Sequence, residues 1–578
     1  MFPRTMNEAP EKQFLPTTKA EMTARGWDVL DVLIVTGDAY VDHPTFGAAV
    51  IGRVLEAEGL RVGILPQPDW TDPASFEVMG RPRLFCGVTA GNLDSMLSNY
   101  TAARRRRRDD DYSEGGVTDK RPNLAVNVYA QLARRAFPKL PVVIGGIEAS
   151  MRRTVHFDYW QDKLRPSVLQ DSKADILVYG MGERAIREIA RRIAADEPLE
   201  GIAGTARLLG GRESAERDFE ACTVLPSYEE CQSNKASMIQ LTKLTEREQN
   251  PFSGKPLVQF HGARALWIEP PAMPLNTAEL DRIYELPYMR APHPMYKEPI
   301  PAFTMIKESV TVVRGCAGGC TFCGLGFHQG RFLSSRSEDS VVREVEEMAA
   351  SKSFRGTVTD LGGPTANLYG CRNGVSKACE VCRRPSCLHP NICPNLEIDK
   401  DAEIHLMRSV RALDRVKHVF IQSGIRMELA LKNPQYIREL AANHVSGHLK
   451  IAPEHLHPDV VKRMRKPGLE VFEAFRKEFE ACSREAGKEQ YLVPYFISNF
   501  PGSTAEEMKA VAGYIREERW NLQQVQDFIP LPMTPAAAMY YSGLDYETET
   551  PISVIRGLGE RRSQIHSLKG KHARRRRK

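Results

Sequence analysis

Eight of the twelve cysteines fall between 316 and 393, and three of them, Cys316, Cys320 and Cys323, stand as C-x3-C-x2-C inside RGCAGGCTFCGLGFHQGR. Thiols crowded this way in a reducing cell interior serve metal or catalysis rather than disulfides. Three thiolates bind three irons. A cubane [4Fe-4S] cluster held by them keeps its fourth iron free of protein thiolate and open to an external chelate. Gly315, Gly318, Gly319, Gly324 and Gly326 let the backbone wrap closely and point N–H groups at the sulfides. Zinc prefers four ligands, commonly in paired C-x2-C knuckles, and only His328 stands nearby as a fourth. The spacing favours iron-sulfur, and His328 reads as an ordinary polar loop residue.

A second set, Cys371, Cys379, Cys382, Cys387 and Cys393, lies in the polar segment YGCRNGVSKACEVCRRPSCLHPNICPN. Residues 370–395 hold too few apolar side chains to build a core, so metal is the natural stabiliser. Four thiolates would close a structural zinc or an auxiliary [4Fe-4S] site. Cys379 and Cys382 form a chelating pair by spacing, and one of the five cysteines is spare.

The elements that must carry these loops follow from periodicity. Apolar strands are expected near 29–36, 60–65, 84–88, 142–144 and 176–179, each followed by helical spacing, so residues 25–200 read as a doubly wound α/β sheet domain. Residues 201–301 read as an inter-domain elaboration. From 302 to 560 six strands alternate with helices, at 310–313, 357–361, 419–422, 449–451, 491–497 and 525–529, as in a partial (β/α)6 barrel with the Cys-rich insertion at 370–395. Such a barrel places function on the loops after its strands. Residues 1–24 read as a flexible N-terminus and 561–578 as a basic disordered tail.

Of 578 residues, 42% are hydrophobic and 26% charged, which excludes a disordered or collagen-like chain. No apolar run approaches 18 residues and the first twenty lack a signal's apolar stretch, so the expected location is cytoplasmic, with no membrane partner. The net charge is +6, and the last ten residues, KGKHARRRRK, carry seven Lys or Arg. That tail is a candidate nucleic-acid contact and supports a second reading, a non-catalytic, metal-stabilised RNA-binding protein. Arg104 to Arg108 are answered by Asp109, Asp110 and Asp111 and read as a solvated loop.

With Phe322 before its last cysteine, the C-x3-C-x-aromatic-C motif resembles the signature of the radical S-adenosylmethionine (SAM) superfamily. IVTGDAYVDHPTFGAAVIGRVLEAEG, GGIEASMRRTVHFDYW, TDLGGPTANLYG and IPLPMTPAAAMYY extend the resemblance to YgiQ-type radical SAM proteins over nearly the whole chain. The resemblance implies a [4Fe-4S] cluster on Cys316, Cys320 and Cys323 with SAM on the unique iron. It further implies reductive SAM cleavage to a 5′-deoxyadenosyl radical that takes hydrogen from an unassigned substrate, and an electron donor such as flavodoxin or ferredoxin. Gly362, Gly363 and Pro364 resemble the glycine motif that receives the SAM amino group, with Pro364 in place of the usual acidic residue. Ser423, Arg426, Glu454 and Ser498 fall after later strands, where ribose, carboxylate or adenine contacts belong. The family pattern points to Cys371, Cys382, Cys387 and Cys393 for the second metal. The first domain resembles a cobalamin-binding-like fold, but Asp42-His43-Pro44-Thr45-Phe46-Gly47 departs from the axial-ligand spacing Asp-x-His-x-x-Gly. His43 is therefore expected to be a polar loop residue, and cobalamin is not expected.

Overall fold

The computed structural model describes residues 12–520, 522 and 525–569. They form two compact units: the residues up to Asn234 together with Leu244–Lys307, and Lys235–Lys243 together with the residues from Glu308 onward.

In the first unit Val32–Thr36 (β1) is buried at every position, as an interior parallel strand must be when both sheet faces are covered. It pairs in parallel with Val62–Pro66 (β2) and with Phe85–Thr89 (β3). Val142–Gly145 (β4) and Ile176–Val178 (β5) continue in parallel, giving the order β2-β1-β3-β4-β5, a doubly wound sheet. Helices Gly47–Ala57 (α1) and Glu183–Ala194 (α2) bury apolar stripes, Val50, Val54 and Leu55 on the first and Ile186 and Ile189 on the second. Each such side chain contributes on the order of 2 kcal/mol by leaving water.

The sheet does not stop at residue 200. Thr205–Leu208 (β6), Thr223–Leu225 (β7), Leu257–His261 (β8) and Arg264–Ile268 (β9) extend it to nine strands in the order β7-β8-β9-β6-β5, so part of 201–301 continues the first sheet rather than standing apart from it. Antiparallel neighbours need no crossover helix. The β5-β6, β6-β9 and β9-β8 pairs are antiparallel; helices still separate β5 from β6, β6 from β7 and β7 from β8, and only β8 and β9 follow one another directly, as a hairpin.

One further expectation is corrected in the first unit. Residues 12–24 are built in: Leu15, Thr17 and Met22 are buried, and helix Lys19–Ala24 carries a capping box between Thr18 and Glu21. Residues 1–11 lie outside the described residues. The arginine run is a solvated loop, with Arg105 to Arg108 and Asp109 exposed; Arg104 and Arg106 pair with Asp162 and Asp119, and Asp110 is buried against Arg121. His43 lies in the loop before α1, fully buried, with Nδ1 2.8 Å from Thr45 Oγ1.

The second unit holds Ser309–Thr311 (β10), Thr357–Val358 (β11), Asp360–Gly362 (β12), His418–Val419 (β13), His448–Glu454 (β14), Tyr491–Ser498 (β15) and Val525–Asp527 (β16). All of their pairings are parallel: β10 with β12, β11 with β13, β14 with β15 and β15 with β16. A backbone bond from Ile421 N–H to His444 O (3.1 Å) joins the segment after β13 to the segment before β14. These six parallel segments are the partial barrel, and Val310, Leu361, Val419, Ile451 and Phe496 belong to its core. Among the described residues no helix is long and apolar enough to cross a membrane.

The expected tail begins as a helix. Leu558–Lys569 (α3) packs by way of Arg561, which is buried, donates to Asp527 Oδ1 at 2.7 Å and also reaches Phe528 O. Residues 570–578, with most of the basic run, lie outside the described residues. Removing one member of a buried ion pair strands the other. Arg561→Ala is therefore expected to destabilise the second unit by about 3 kcal/mol, read as a lower denaturant midpoint. A second buried acid predicts a pH effect. Glu403 accepts a 3.0 Å bond from Tyr436 Oη, and burial pushes its carboxyl up to about 8 despite that bond. From roughly pH 5 to about 8 the unfolded chain gives up a proton that the folded chain keeps, so stability falls as pH rises. Glu403→Gln is expected to flatten that slope in urea titrations at the two ends of the range; an unchanged slope would contradict the assignment.

Candidate metal centre

Just past β10 the chain pairs with itself, Val313–Arg314 running antiparallel to Ser334–Ser335, so residues 315–333 form a loop closed at its neck. Cys316 N–H donates to Gly330 O at 3.0 Å and Gly315 N–H to Gln329 Oε1 at 3.1 Å just inside that neck. Gly315 has φ +84° and a Cβ there would stand 2.0 Å from Phe332 O, while Gly319 has φ +63° and its Cβ would stand 2.5 Å from Pro385 O. Only glycine meets both demands. Gly326 has open space around it, so the close approach expected of it is absent.

Cys316, Cys320 and Cys323 are partly buried and unpaired by disulfides. Burial and then the neighbouring Cys320 push the Cys316 thiol up, while Arg426 and Lys466 pull it back. Burial, Cys320 and Cys316 push Cys323 up to about 12. Thiolate is the metal-binding form, so three mutually repelling sulfurs in a partly dry loop suit a strongly cationic core that displaces their protons. Among the described residues no three His, Cys, Asp or Glu side chains converge on a single point as ligands of one ion; a cube, with its irons at separate corners, does not require its thiolates to converge.

Arg426 is aimed at this loop. Its Nη1 donates to Cys320 Sγ at 3.4 Å, and Nε and Nη2 hold Glu428 Oε1 at 2.9 and 2.5 Å. Its backbone exchanges two 2.8 Å bonds with the Asn367 side chain, stapling the loop after β13 to the loop after β12. Glu454, at an irregularity of the β14–β15 ladder, has φ +68°, an uncommon conformation for a residue with a side chain. Burial raises its carboxyl, and Lys466 and Arg426 oppose the rise. Arg426, Glu454 and Lys466 thus form one charged group around the thiols.

At the end of β12, a Cβ on Gly362 would stand 2.1 Å from Ser423 Oγ, and one on Gly363 2.4 Å from Val313 O. Asp360 gathers this knot, accepting from Gln422 N–H (2.7 Å), Ser423 N–H (3.0 Å) and the Ser423 hydroxyl. The Pro364 carbonyl accepts from Thr365 Oγ1 at 2.8 Å. Ser423 is therefore engaged in holding two loops together. Ser498 has Asp527 as its register partner, and its hydroxyl sits among Gln526 O, Asn499 and Asp527 in the buried network that includes Arg561. Lys466 was missed, although three cations in four residues, Arg463, Arg465 and Lys466, end the helix Pro458–Met464 just before Pro467-Gly468.

The Cys-rich insertion sits directly on the cysteine loop. Ser386 Oγ lies 2.8 Å from Gly318 O and 3.3 Å from Ala317 O, and Cys387 N–H donates to Ala317 O at 2.9 Å. Burial raises the Cys387 thiol, Asn373 and Arg331 oppose the rise, and Cys393 and Cys382 add to it, so these three thiols are neighbours. Cys371 is not among them. Burial pushes it up to about 12, and Glu403 and Asp399 add to the rise. Cys379 behaves oppositely: burial would raise it, but Ser376 Oγ and the backbone N–H groups of 374–376 hold it below the ordinary thiol value.

Comparison with known proteins accords with this geometry. Residues 14–309 match the family model described as Radical SAM N-terminal, and residues 310–515 match that of the Radical SAM superfamily. A UPF0313 protein of Geobacter sulfurreducens is 49% identical, covering 95% of this chain and 91% of its own. The UPF0313 protein YgiQ of Escherichia coli is 42% identical, covering 96% and 83%. Among solved structures, the radical SAM methyltransferase TsrM from Kitasatospora setae, with cobalamin and a [4Fe-4S] cluster bound, is similar over 88% of this chain and 76% of that one, with TM-score 0.50 and 18% identity. The likeness is one of fold. Because that protein holds cobalamin, the expectation of a chain without it finds no support there. The chain belongs to the UPF0313 family of radical SAM proteins.

Proposed function

We propose that Cys316, Cys320 and Cys323 hold the [4Fe-4S] cluster of this radical SAM enzyme, and that Gly362 to Pro364, Arg426, Glu454 and Lys466 receive SAM beside it. The observation that carries this reading is the Arg426 guanidinium donating to Cys320 while Glu454 and Lys466 face the same loop. When bound, cluster and SAM together supply one-electron cleavage of the sulfonium and the 5′-deoxyadenosyl radical that takes hydrogen from a substrate carbon. The chain's own residues do the rest. Arg426 stabilises negative charge on the Cys320 sulfur, and with Lys466 it offers positive charge to a carboxylate. Gly363, with no side chain, leaves room beside the end of β10. The Phe322 ring, edge-on to Phe500 at 6.3 Å between centroids, and the buried Phe327 and Phe332 exclude water from the loop.

A second metal, in this reading an iron-sulfur cluster rather than a single zinc since no three His, Cys, Asp or Glu side chains converge on one ion among the described residues, belongs on Cys382, Cys387 and Cys393, with Cys379 as the fourth ligand by its C-x2-C spacing to Cys382. Its role is to hold the insertion in place against Ala317 and Gly318.

Two outcomes are expected. After anaerobic reconstitution, Cys320→Ala loses cluster absorbance and all 5′-deoxyadenosine release under dithionite, while Arg426→Met keeps its iron and loses about 10–100-fold in SAM cleavage; a fully active Cys320→Ala protein would end the proposal. Metal analysis should show an increment of iron beyond one cluster in the wild type that Cys387→Ala loses; equal metal content in both would remove the second site.

A further inference from the structure

The geometry points to the outer face of the insertion 370–395 as the docking surface for an acidic one-electron carrier protein. The proposal rests on the reading of Cys316, Cys320 and Cys323 as cluster ligands. The insertion has two faces. Its inner one seats Ser386 and Cys387 on Ala317 and Gly318, backbone between the first and second cysteines of the cluster loop. Its outer one is defined by its exposed side chains: Lys377, Arg383 and Arg384, the last also donating to His389 O and Asn391 O, together with Val375 and Val381, which are 49% and 69% exposed. Arg383 and Arg384 are joined to Ser386 through Pro385 alone, and the Pro385 carbonyl lies 2.5 Å from where a Cβ of Gly319 would be. A protein resting on the outer face is thus separated from the cluster loop by a single layer of chain.

Charge identifies the partner. Residues 370–395 carry four cations, Arg372, Lys377, Arg383 and Arg384, against one carboxylate, Glu380. The nearby Glu397 is already paired with Arg372 at 2.9 Å. Two exposed valines framed by cations fit a small carrier whose redox group lies at a surface ringed with carboxylates. Complementary charge of this kind raises encounter rates by about 10-fold or more and is lost with salt. In the transfer itself one electron leaves the reduced carrier, which is oxidised by one, and enters the cluster, which is reduced by one. No bond forms or breaks.

The test uses the full-length reconstituted protein with flavodoxin as the probe, reduced by NADPH through its reductase, and follows cluster reduction by anaerobic absorbance. Lys377→Glu/Arg383→Glu is expected to lower the second-order rate with flavodoxin at least about 10-fold at low salt. It should also lose the salt dependence that the wild type shows as the Debye length shrinks. Iron content and reduction by dithionite stay at wild-type levels. Lys377→Gln/Arg383→Gln, which removes charge without reversing it, falls between. An unchanged flavodoxin rate in the reversed variant overturns the docking surface, as does an unchanged rate combined with lost affinity for an RNA oligonucleotide, which would mark the face as a phosphate-binding one. A wild type that accepts no electron from dithionite overturns the cluster reading itself, and this proposal with it.

Discussion

Three sulfurs that the proposed cluster would need anionic at the same time, in a loop that burial has partly dried, set the terms for everything around them. Burial and mutual repulsion push the Cys316 and Cys323 thiols up, so the fold has to supply positive charge and a rigid frame. It brings Arg426 from the segment after the third barrel strand and Lys466 from the end of a helix after the fourth. It adds one carboxylate, Glu454, in a left-handed backbone conformation. Such strained positions cluster at functional sites because the surrounding structure has to enforce them. The partial barrel matters here chiefly as the device that delivers loops from different strands to one end.

The strands that carry the site were legible because buried parallel strands are short apolar runs and their helices follow on schedule. The β6–β9 extension was only partly so: its strands are short, and the β8–β9 hairpin follows the polar helix Ser237–Arg247 without a crossover. The helix at 558–569 was also hidden: RGLGERRSQIHSLK reads as surface until Asp527 is seen to claim Arg561. Within the proposed site, cysteine spacing singled out the loop 316–323, and Arg426 and Glu454, picked for their positions after strands, carry charge that acts on the same thiols. Position after a strand does not settle which way a side chain turns, and Ser498, paired in register with Asp527, turned into a structural network. Spacing also could not tell which of five cysteines share one side of the insertion, and Cys371 lies instead beside Glu403 and Asp399.

The first unit shows how much charge a sheet domain can bury when each group has a partner. Arg53 with Asp42, Arg121 with Asp38 and Asp110, and Arg152 with Asp94 and Asp158 are all interior. Such pairs are poor sources of net stability but make single substitutions costly. Apart from Arg53, which belongs to helix α1, they lie in loops or at the ends of strands and helices, so the conformations of those loops depend on electrostatic partners as well as on apolar packing.

Closure of the loop 315–333 by Val313–Arg314 on Ser334–Ser335 has a thermodynamic meaning. Gathering three ligands from a free segment costs chain entropy that grows with its length, and here the barrel strand and the two-residue ladder discharge that cost during folding. Iron and sulfide then meet a pre-organised cradle. On the proposed assignment, the loop that would hold the cluster is closed by chain geometry and not by its metal, so assembly of the inorganic core would come after folding.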